Sequence, residues 1–164
     1  MKFKVEHQFQ IPPTQLWRIL SSDEFRQQVN ENNRITSQIV SESTEGEIKV
    51  IQSKIAYVDP LPKIEAKLMG SPHLSYILEQ RITDSQLLSQ WRIVIPRLGK
   101  KIKAHGRFQL IEKNSITQRN IYGEISVSVP LVGRKIEKNI ISKLEKSYSS
   151  SAEFIASWIR DKRS

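Results

Sequence analysis

Cysteine is absent from the 164-residue chain. This absence excludes disulfide bonds, thiolate ligands to a metal and a cysteine nucleophile. The sequence also lacks any apolar run near the ~20 residues that an α-helix needs to cross a bilayer. Its first residues alternate between apolar and polar types, unlike the apolar core of a signal peptide. We therefore expect a soluble, cytoplasmic protein.

Motifs for catalysis and for metal binding are scarce as well. The three histidines, His7, His73 and His105, lie on separate segments without the spacing of a metal-binding helix. A glycine-rich phosphate-binding loop does not occur, and the Gly-X-Ser-X-Gly motif of serine hydrolases is missing. The sequence thus predicts no metal, no cofactor and no residue with an assignable catalytic role.

Positive charge exceeds negative charge, with 26 lysines and arginines against 17 acidic residues. Such a surplus attracts a protein to phosphate-rich surfaces, either anionic lipid or nucleic acid. Blocks of about five or six like charges, typical of nucleic-acid-binding tails, do not occur. We predict a weak contact with an anionic membrane surface through four residues around one hairpin turn: Arg97, Lys100, Lys101 and Lys103. Nucleic acid is a less favoured partner, and simple solvation of the turn is the alternative.

The last part of the chain has the pattern of one long helix. From position 130 to 162, apolar residues recur every three or four positions, which is the helical period. Pro130 suits a first helical turn, and no proline follows it. A helix of about thirty residues is roughly 45 Å long and needs an extended apolar surface to pack against. The repeating apolar positions are Ile136, Ile140, Leu144, Tyr148, Ala152, Ile155 and Ile159.

Seven other segments alternate between apolar and polar residues and are predicted to be strands. Their ranges are 3–9, 35–43, 47–58, 74–83, 87–95, 102–110 and 116–129. Because short turns join most of them, the sheet is expected to be antiparallel. Two short helices, residues 14–20 and 23–30, follow the first strand, and Ser21 with Glu24 has the form of a capping box between them. A third short helix, residues 63–69, is predicted to end at Gly70.

This order of elements predicts an α+β fold with one domain over residues 1–164. A curved seven-stranded antiparallel sheet grips the long C-terminal helix, and two short helices follow strand 1. Long antiparallel strands with one apolar face curl into a trough, and the trough supplies the apolar surface that the helix requires.

Three features carry a resemblance to a known superfamily: the opening strand, the segment IPPTQLW at residues 11–17, and the closing strand with its helix. In these features the chain resembles the START-like superfamily, also called the polyketide cyclase, birch-pollen-allergen or helix-grip superfamily. Residues 129–137 (VPLVGRKIE) and the Pro–Gly insert at residues 60–70 are similar to a bacterial subfamily of unknown function. The resemblance implies a hydrophobic ligand between sheet and helix. Members include cyclases and hydrolases as well as proteins that only bind or carry, so the fold alone does not choose among them.

The inner face of the predicted sheet is mostly apolar with a few polar groups, a composition shared by small-molecule pockets and filled cores. Small residues on the helix and on two adjacent strands favour a cavity: Gly133, Ser147, Ser151, Ala152, Gly106 and Gly123. A close approach of helix and sheet, or a bend of the strands, would explain them equally. We predict ten ligand-binding residues: His7, Trp17, Tyr76, Gln80, Ser89, Trp91, Phe108, Glu137, Tyr148 and Ser151.

The leading functional hypothesis is non-catalytic binding or carriage of a hydrophobic small molecule, lipid-like or polycyclic. The first alternative is an enzyme of the cyclase or hydrolase type in the same cavity, with Glu137 and either His7 or Tyr76 as the acid–base pair. Against that alternative, Glu137 is predicted to lie in water at the open end of the trough, near Arg134 or Lys138. The second alternative is binding to RNA or a ribosome through the basic surface. Oligomeric state is not predicted by the pattern.

Overall fold

The computed structural model describes residues 1–163 and contains seven strands and four α-helices in that range. The elements in chain order are β1 (Lys2–Phe9), α1 (Pro13–Ser21), α2 (Asp23–Asn32), β2 (Ile35–Glu45), β3 (Ile48–Pro60), α3 (Lys63–Met69), β4 (His73–Thr83), β5 (Leu88–Val94), β6 (Ile102–Lys113), β7 (Ile116–Val127) and α4 (Gly133–Arg163). Two single turns of 3₁₀ helix, Asp84–Gln86 and Gly99–Lys101, join β4 to β5 and β5 to β6. None of the described helices is long and apolar enough to cross a membrane.

All seven strands form one antiparallel sheet in the order β1-β7-β6-β5-β4-β3-β2. Consecutive strands from β2 to β7 are neighbours, as short connections require, and β1 pairs with β7 at one edge. The other edge is β2, whose pairing with β3 is interrupted by a bulge between Ile39 and Ser41. The predicted fold class, a curved antiparallel sheet with a long C-terminal helix, is confirmed.

One predicted helix start and one predicted cap residue are wrong, whereas the predicted start of α2 at Asp23 is confirmed. The long helix begins at Gly133, not at Pro130, because Leu131 adopts a left-handed conformation (φ 72°) that no right-handed helix continues. The cap of α2 is Ser22, not Ser21: the Ser22 hydroxyl accepts a hydrogen bond from the backbone N–H of Phe25. The predicted end of α3 is confirmed, since Gly70 has φ 63° and closes the helix as its C-cap.

Two separate apolar clusters fasten α4 to the sheet. The N-terminal cluster joins the start of α4 to β1, β6 and β7: Phe3, Ala104, Ile121, Ile125, Val127, Ile136 and Ile141. The C-terminal cluster joins its end to β1, β6, α1 and α2: Phe9, Ile11, Leu16, Phe25, Leu110, Ile155 and Ile159. Full burial of a side chain such as Ile155, which is 0% exposed, contributes roughly 1.5–3 kcal/mol. The helix is therefore held at both ends, and polar side chains lie between the two clusters.

Candidate functional site

The strands turn the predicted wall residues toward the helix, as the alternation requires. Gln80 pairs with Trp91, and Ser89 pairs with Phe108. The cross-strand register places both pairs on the same face of the sheet as the core residues Ile121 and Ile125, which pack under α4. His7, Tyr76, Gln80, Ser89, Trp91 and Phe108 thus lie on one concave face, here called the trough.

Arg119, which is absent from the predicted ligand-binding residues, occupies the centre of the trough under α4. It is 2% exposed and lies between the two apolar clusters. Its Nη1 donates to the Ser151 hydroxyl over 2.9 Å, and its Nη2 donates to the Tyr148 carbonyl over 3.1 Å. Nη2 also faces Nδ1 of His7 at 3.1 Å. The side chain therefore connects β1, β7 and α4 at mid-length.

The charge of Arg119 has no carboxylate partner in the described part of the chain. Burial lowers the pKa of Arg119 to about 10. The rings of Phe9 and Tyr148 lie 5.4 Å and 5.7 Å from the guanidinium carbon, which places the cation against two π faces. Burial, and secondly the charge of Arg119, lower the pKa of His7. The imidazole is thus favoured in its neutral form.

Three tyrosines add hydroxyl groups to the interior. Tyr57 and Tyr76 face each other on β3 and β4 with their hydroxyl oxygens 3.4 Å apart. Burial raises the pKa of Tyr76, and burial also raises the pKa of Tyr148 on α4. The phenols of Tyr76 and Tyr148 stay protonated at neutral pH, so they act as hydrogen-bonding groups and not as bases.

The Trp91 indole packs against both glycines of the inner face, Gly106 and Gly123. A Cβ atom at Gly106 would lie 2.5 Å from Cζ2 of Trp91, and one at Gly123 would lie 2.9 Å from the same atom. The indole therefore lies across β6 and β7 and reaches Phe3, with 6.4 Å between ring centroids. The space next to these glycines is therefore filled by side chains of neighbouring strands, and it is not the cavity that the small residues were taken to favour. The Trp91 Nε1 and Ser89 Oγ atoms are buried without a hydrogen-bond partner within residues 1–163.

The small residues of the helix also have specific contacts. Ser151 is bonded to Arg119, and Gly133 packs against the Val127 carbonyl. Ser147 is exposed, so its predicted place on the inner stripe is wrong. The packed face of α4 runs through Leu144, Tyr148 and Ser151, and Ser147 lies outside it.

Glu137 and Trp17 make contacts at opposite ends of the trough. The Glu137 carboxylate accepts a hydrogen bond from the backbone N–H of Val127 over 3.0 Å and ties the first turn of α4 to the end of β7. Trp17 Nε1 donates to Asp84 over 2.9 Å, while its ring packs 6.2 Å from that of Phe108. Val127 is eight residues from Arg119, the cross-strand partner of His7, which is about 27 Å along a strand. The structure does not bring Glu137 and His7 together as an acid–base pair.

The part of the trough formed by β3, β4 and β5 is less filled than the part under α4. The helix lies mainly over β7 and β1. Ile51 and Ile55 of β3 are buried but belong to neither apolar cluster. Tyr76, Leu78 and Gln80 of β4 remain half-buried although they face inward. We call this surface the open wall.

A cleft of about 240 Å³ lies between α3 and the start of α4. Ile64, Val132 and Ile136 supply its apolar lining, and Asn139 donates to Glu65 across it over 3.3 Å. The predicted basic hairpin lies close by, because the Arg97 guanidinium packs directly on Gly70 at the end of α3. Arg97, Lys100, Lys101 and Lys103 are all exposed, and Leu98 between them is buried and anchors the turn.

Residues 1–163 contain no group of three histidine, aspartate or glutamate side chains placed to hold a metal ion. The interior instead offers apolar side chains, tyrosine hydroxyls and one buried guanidinium. Such an arrangement can hold an apolar molecule and hydrogen-bond to its polar groups.

Comparison with known proteins agrees with this geometry. The model of a family described as "Protein of unknown function (DUF2505)" matches residues 4–159. No curated protein matches the sequence significantly. Among solved structures, TTHA0849 from Thermus thermophilus is similar with a TM-score of 0.66 at 14% identity, over 96% of this chain and 98% of that one.

Two further structures show the same fold. The Zhui aromatase/cyclase from Streptomyces sp. R1128 has a TM-score of 0.67 at 8% identity, over 100% of this chain and 97% of the other. The 18 kDa protein CC1736 from Caulobacter crescentus has a TM-score of 0.64 at 9% identity, with coverages of 98% and 99%. The predicted resemblance to the helix-grip superfamily is confirmed at the level of the fold.

Proposed function

The chain belongs to the DUF2505 family, and we propose that it binds a hydrophobic small molecule, lipid-like or polycyclic, between the open wall and α4. The molecule is held or carried without chemical change. Its contacts on the sheet are Tyr76, Gln80, Ser89, Trp91 and Phe108, and its contact on the helix is Tyr148.

The incomplete packing of the open wall is the observation that supports this proposal. Leu78 and Gln80 point into the trough yet keep part of their surface accessible. The fully buried sheet residues of the clusters that hold α4 come from β1, β6 and β7, so a guest beside β4 does not displace them, although it would lie next to the partly buried Trp91 and Phe108. An inward apolar surface that the protein's own side chains cover only in part gains free energy from an apolar guest, at roughly 25 cal/mol per Å² removed from water.

Binding is favoured over catalysis because Glu137 and His7, the pair of the acid–base alternative, are not brought together. His7 is engaged by Arg119, and Glu137 is bonded to the backbone at the other end of β7. Tyr76 remains a neutral phenol because burial raises its pKa. An acid–base mechanism needs a donor and an acceptor within reach of one reacting atom, and Glu137 with His7 does not provide that geometry.

The proposal is tested with an environment-sensitive fluorescent fatty acid and with Leu78→Trp as a blocking variant. The larger ring fills the space beside the open wall and is expected to weaken probe binding at least about tenfold, which corresponds to about 1.4 kcal/mol. Ile77→Trp is the matched control, since Ile77 lies on the opposite face of the same strand. This control is expected to bind like the wild type.

Native mass spectrometry of the freshly purified protein provides a second measurement. A co-purifying small molecule that is retained by Ile77→Trp and lost from Leu78→Trp supports the proposal. The absence of any apolar-probe binding to the wild-type protein at micromolar concentration contradicts it. Equal binding by both tryptophan variants contradicts the assigned location.

A further inference from the structure

Three segments meet at one end of the sheet, next to the start of α4. The connection between β5 and β6 touches α3 where Arg97 packs on Gly70. The same connection touches the loop before α4, since the backbone N–H of Ser128 donates to the Lys101 carbonyl over 2.7 Å. The cleft between α3 and the start of α4 belongs to the same surface. We call this surface, formed by α3 and residues 95–103 and 128–135, the basic end.

The basic end carries much more positive charge than the chain as a whole. Its exposed basic residues are Lys63, Lys67, Arg97, Lys100, Lys101, Lys103, Arg134 and Lys135. Within these described segments Glu65 is the single acidic residue, and its carboxylate accepts a hydrogen bond from Asn139. The whole chain has 26 basic and 17 acidic residues, so a ratio of eight to one is a local concentration of charge.

An apolar side chain also projects from the basic end. Leu131 is 105% exposed and is held at φ 72°, a conformation that leucine rarely adopts. Ile64 on α3 is 43% exposed and lines the neighbouring cleft. The Leu131 side chain does not contribute to the stability of the fold, because it makes no buried contact. Glycine or asparagine would suit the backbone better.

We propose that the basic end docks on an anionic phospholipid bilayer, with Leu131 inserted below the headgroups and the surrounding lysines and arginines at the phosphates. A bilayer satisfies both features, since it offers negative charge at its surface and an apolar phase beneath it. Nucleic acid accounts for the charge alone: the three segments contain no aromatic residue on which a base could stack. The proposal is independent of the ligand, although a carrier of an insoluble molecule would exchange it at such a surface.

Leu131→Asn separates membrane insertion from folding. Asparagine tolerates positive φ, so the thermal midpoint is expected to stay at or above that of the wild type. Co-sedimentation with vesicles of phosphatidylcholine and phosphatidylserine at low salt is expected to weaken about tenfold, because the inserted side chain is lost. Val40→Thr removes another exposed apolar side chain, from β2, and is expected to leave binding unchanged.

A pair of charge variants tests the second half of the proposal. Lys100→Gln with Lys101→Gln is compared with Lys143→Gln plus Lys146→Gln, which removes the same charge from the exposed side of α4. The first variant is expected to lose roughly tenfold to thirtyfold in affinity for the anionic vesicles, and the second much less. Pure phosphatidylcholine vesicles are expected not to sediment the wild-type protein.

The outcomes that overturn the proposal are distinct. Unchanged vesicle binding by Leu131→Asn excludes insertion at this loop. Equal losses in the two double-lysine variants show that net charge, and not the basic end, drives the contact. Tighter binding to single-stranded RNA than to anionic vesicles at the same salt concentration assigns the surface to nucleic acid. Because each measurement uses protein without added ligand, its result does not depend on whether the trough binds an apolar molecule.

Discussion

Arg119 donates a hydrogen bond to His7 across the pairing of β7 with β1, with 3.1 Å between Nη2 and Nδ1. A guanidinium has only donors, so Nδ1 of His7 must be the acceptor and carries no proton. The imidazole is therefore neutral, and protonation at Nδ1 would break the bond and place two positive charges side by side. The centre of the trough thus contains a histidine whose charge state depends on its arginine neighbour.

This pair makes stability depend on pH in a defined direction. The folded-state pKa of His7 lies below its ordinary value of 6.5 because of burial and, secondly, because of Arg119. The unfolded chain then binds the proton more readily, so stability rises with pH. The contribution of His7 is complete above pH 6.5 and is lost as the pH falls through the lowered folded-state pKa. Urea denaturation between pH 5 and about 7.5 is expected to show this loss.

Two histidine variants give the control for the pH profile. His7→Gln is expected to flatten the dependence between pH 5 and 7, because the shifted group is gone. His105→Gln removes an exposed histidine and is expected to keep the wild-type profile. An unchanged slope in His7→Gln would assign the pH dependence to other groups.

Arg119 itself is expected to be replaceable by an apolar side chain of similar length. Its three hydrogen-bond partners are neutral, and its charge is buried without a carboxylate. Arg119→Met is expected to stay within about 1 kcal/mol of the wild type, since the lost hydrogen bonds are offset by the removed desolvation penalty. Arg119→Ala leaves a cavity and is expected to cost about 2–4 kcal/mol.

Denaturation of the two Arg119 variants in urea distinguishes the contribution of the guanidinium's hydrogen bonds from that of its packing volume. A Met variant as unstable as the Ala variant would show that the guanidinium's hydrogen bonds to α4, and not its packing volume, hold the helix at mid-length. In that case Ser151→Ala, which removes one acceptor of Arg119, is expected to reproduce part of the loss.

The space taken by the Trp91 indole makes Gly123 sensitive to a single methyl group. Gly123→Ala is expected to destabilise the protein by about 1–3 kcal/mol through overpacking, because the new Cβ meets the rings of Trp91 and Phe3. In the Trp91→Leu background the same substitution is expected to cost less, and a double-mutant cycle measures the difference. Additive losses would mean that Phe3 alone limits the space.

Gly106→Ala is the matched comparison. A Cβ at Gly106 meets the backbone carbonyl of Tyr122 as well as the indole. Because a backbone atom cannot move aside, Trp91→Leu is expected to relieve Gly106→Ala little. Equal relief at both glycines would show that the strands shift to accept the new side chain.

The alternation of residues was sufficient to predict the strands and the inward side chains, because period two fixes the face of each residue. The same parity that places Ile121 and Ile125 inside also places Arg119 inside. The signal for Arg119 was thus present in the sequence, but a charged residue is not expected in a core unless its partners are known. Those partners, His7 and Tyr148, are 112 and 29 residues away along the chain.

Details that depend on three-dimensional neighbours were not predictable from local pattern. The glycines of β6 and β7 are explained by neighbours from other strands: Trp91 of β5 at both, and Phe3 of β1 at Gly123. The start of α4 was misplaced because proline at position 130 fits a first helical turn, whereas the backbone of Leu131 does not continue it. The open wall depends on where α4 lies across the sheet, and neither strand nor helix periodicity determines that placement.

The bulge in β2 has a consequence for how copies of this protein meet one another. As one of the two edges of the sheet, β2 offers eleven residues of backbone to which another extended chain could add. The register shift after Ile39 divides this edge into two runs of five paired residues, 35–39 and 41–45. A straight strand from a second copy cannot match both runs at once. The bulge therefore disfavours aggregation by strand addition between copies of this protein, independently of whatever occupies the trough.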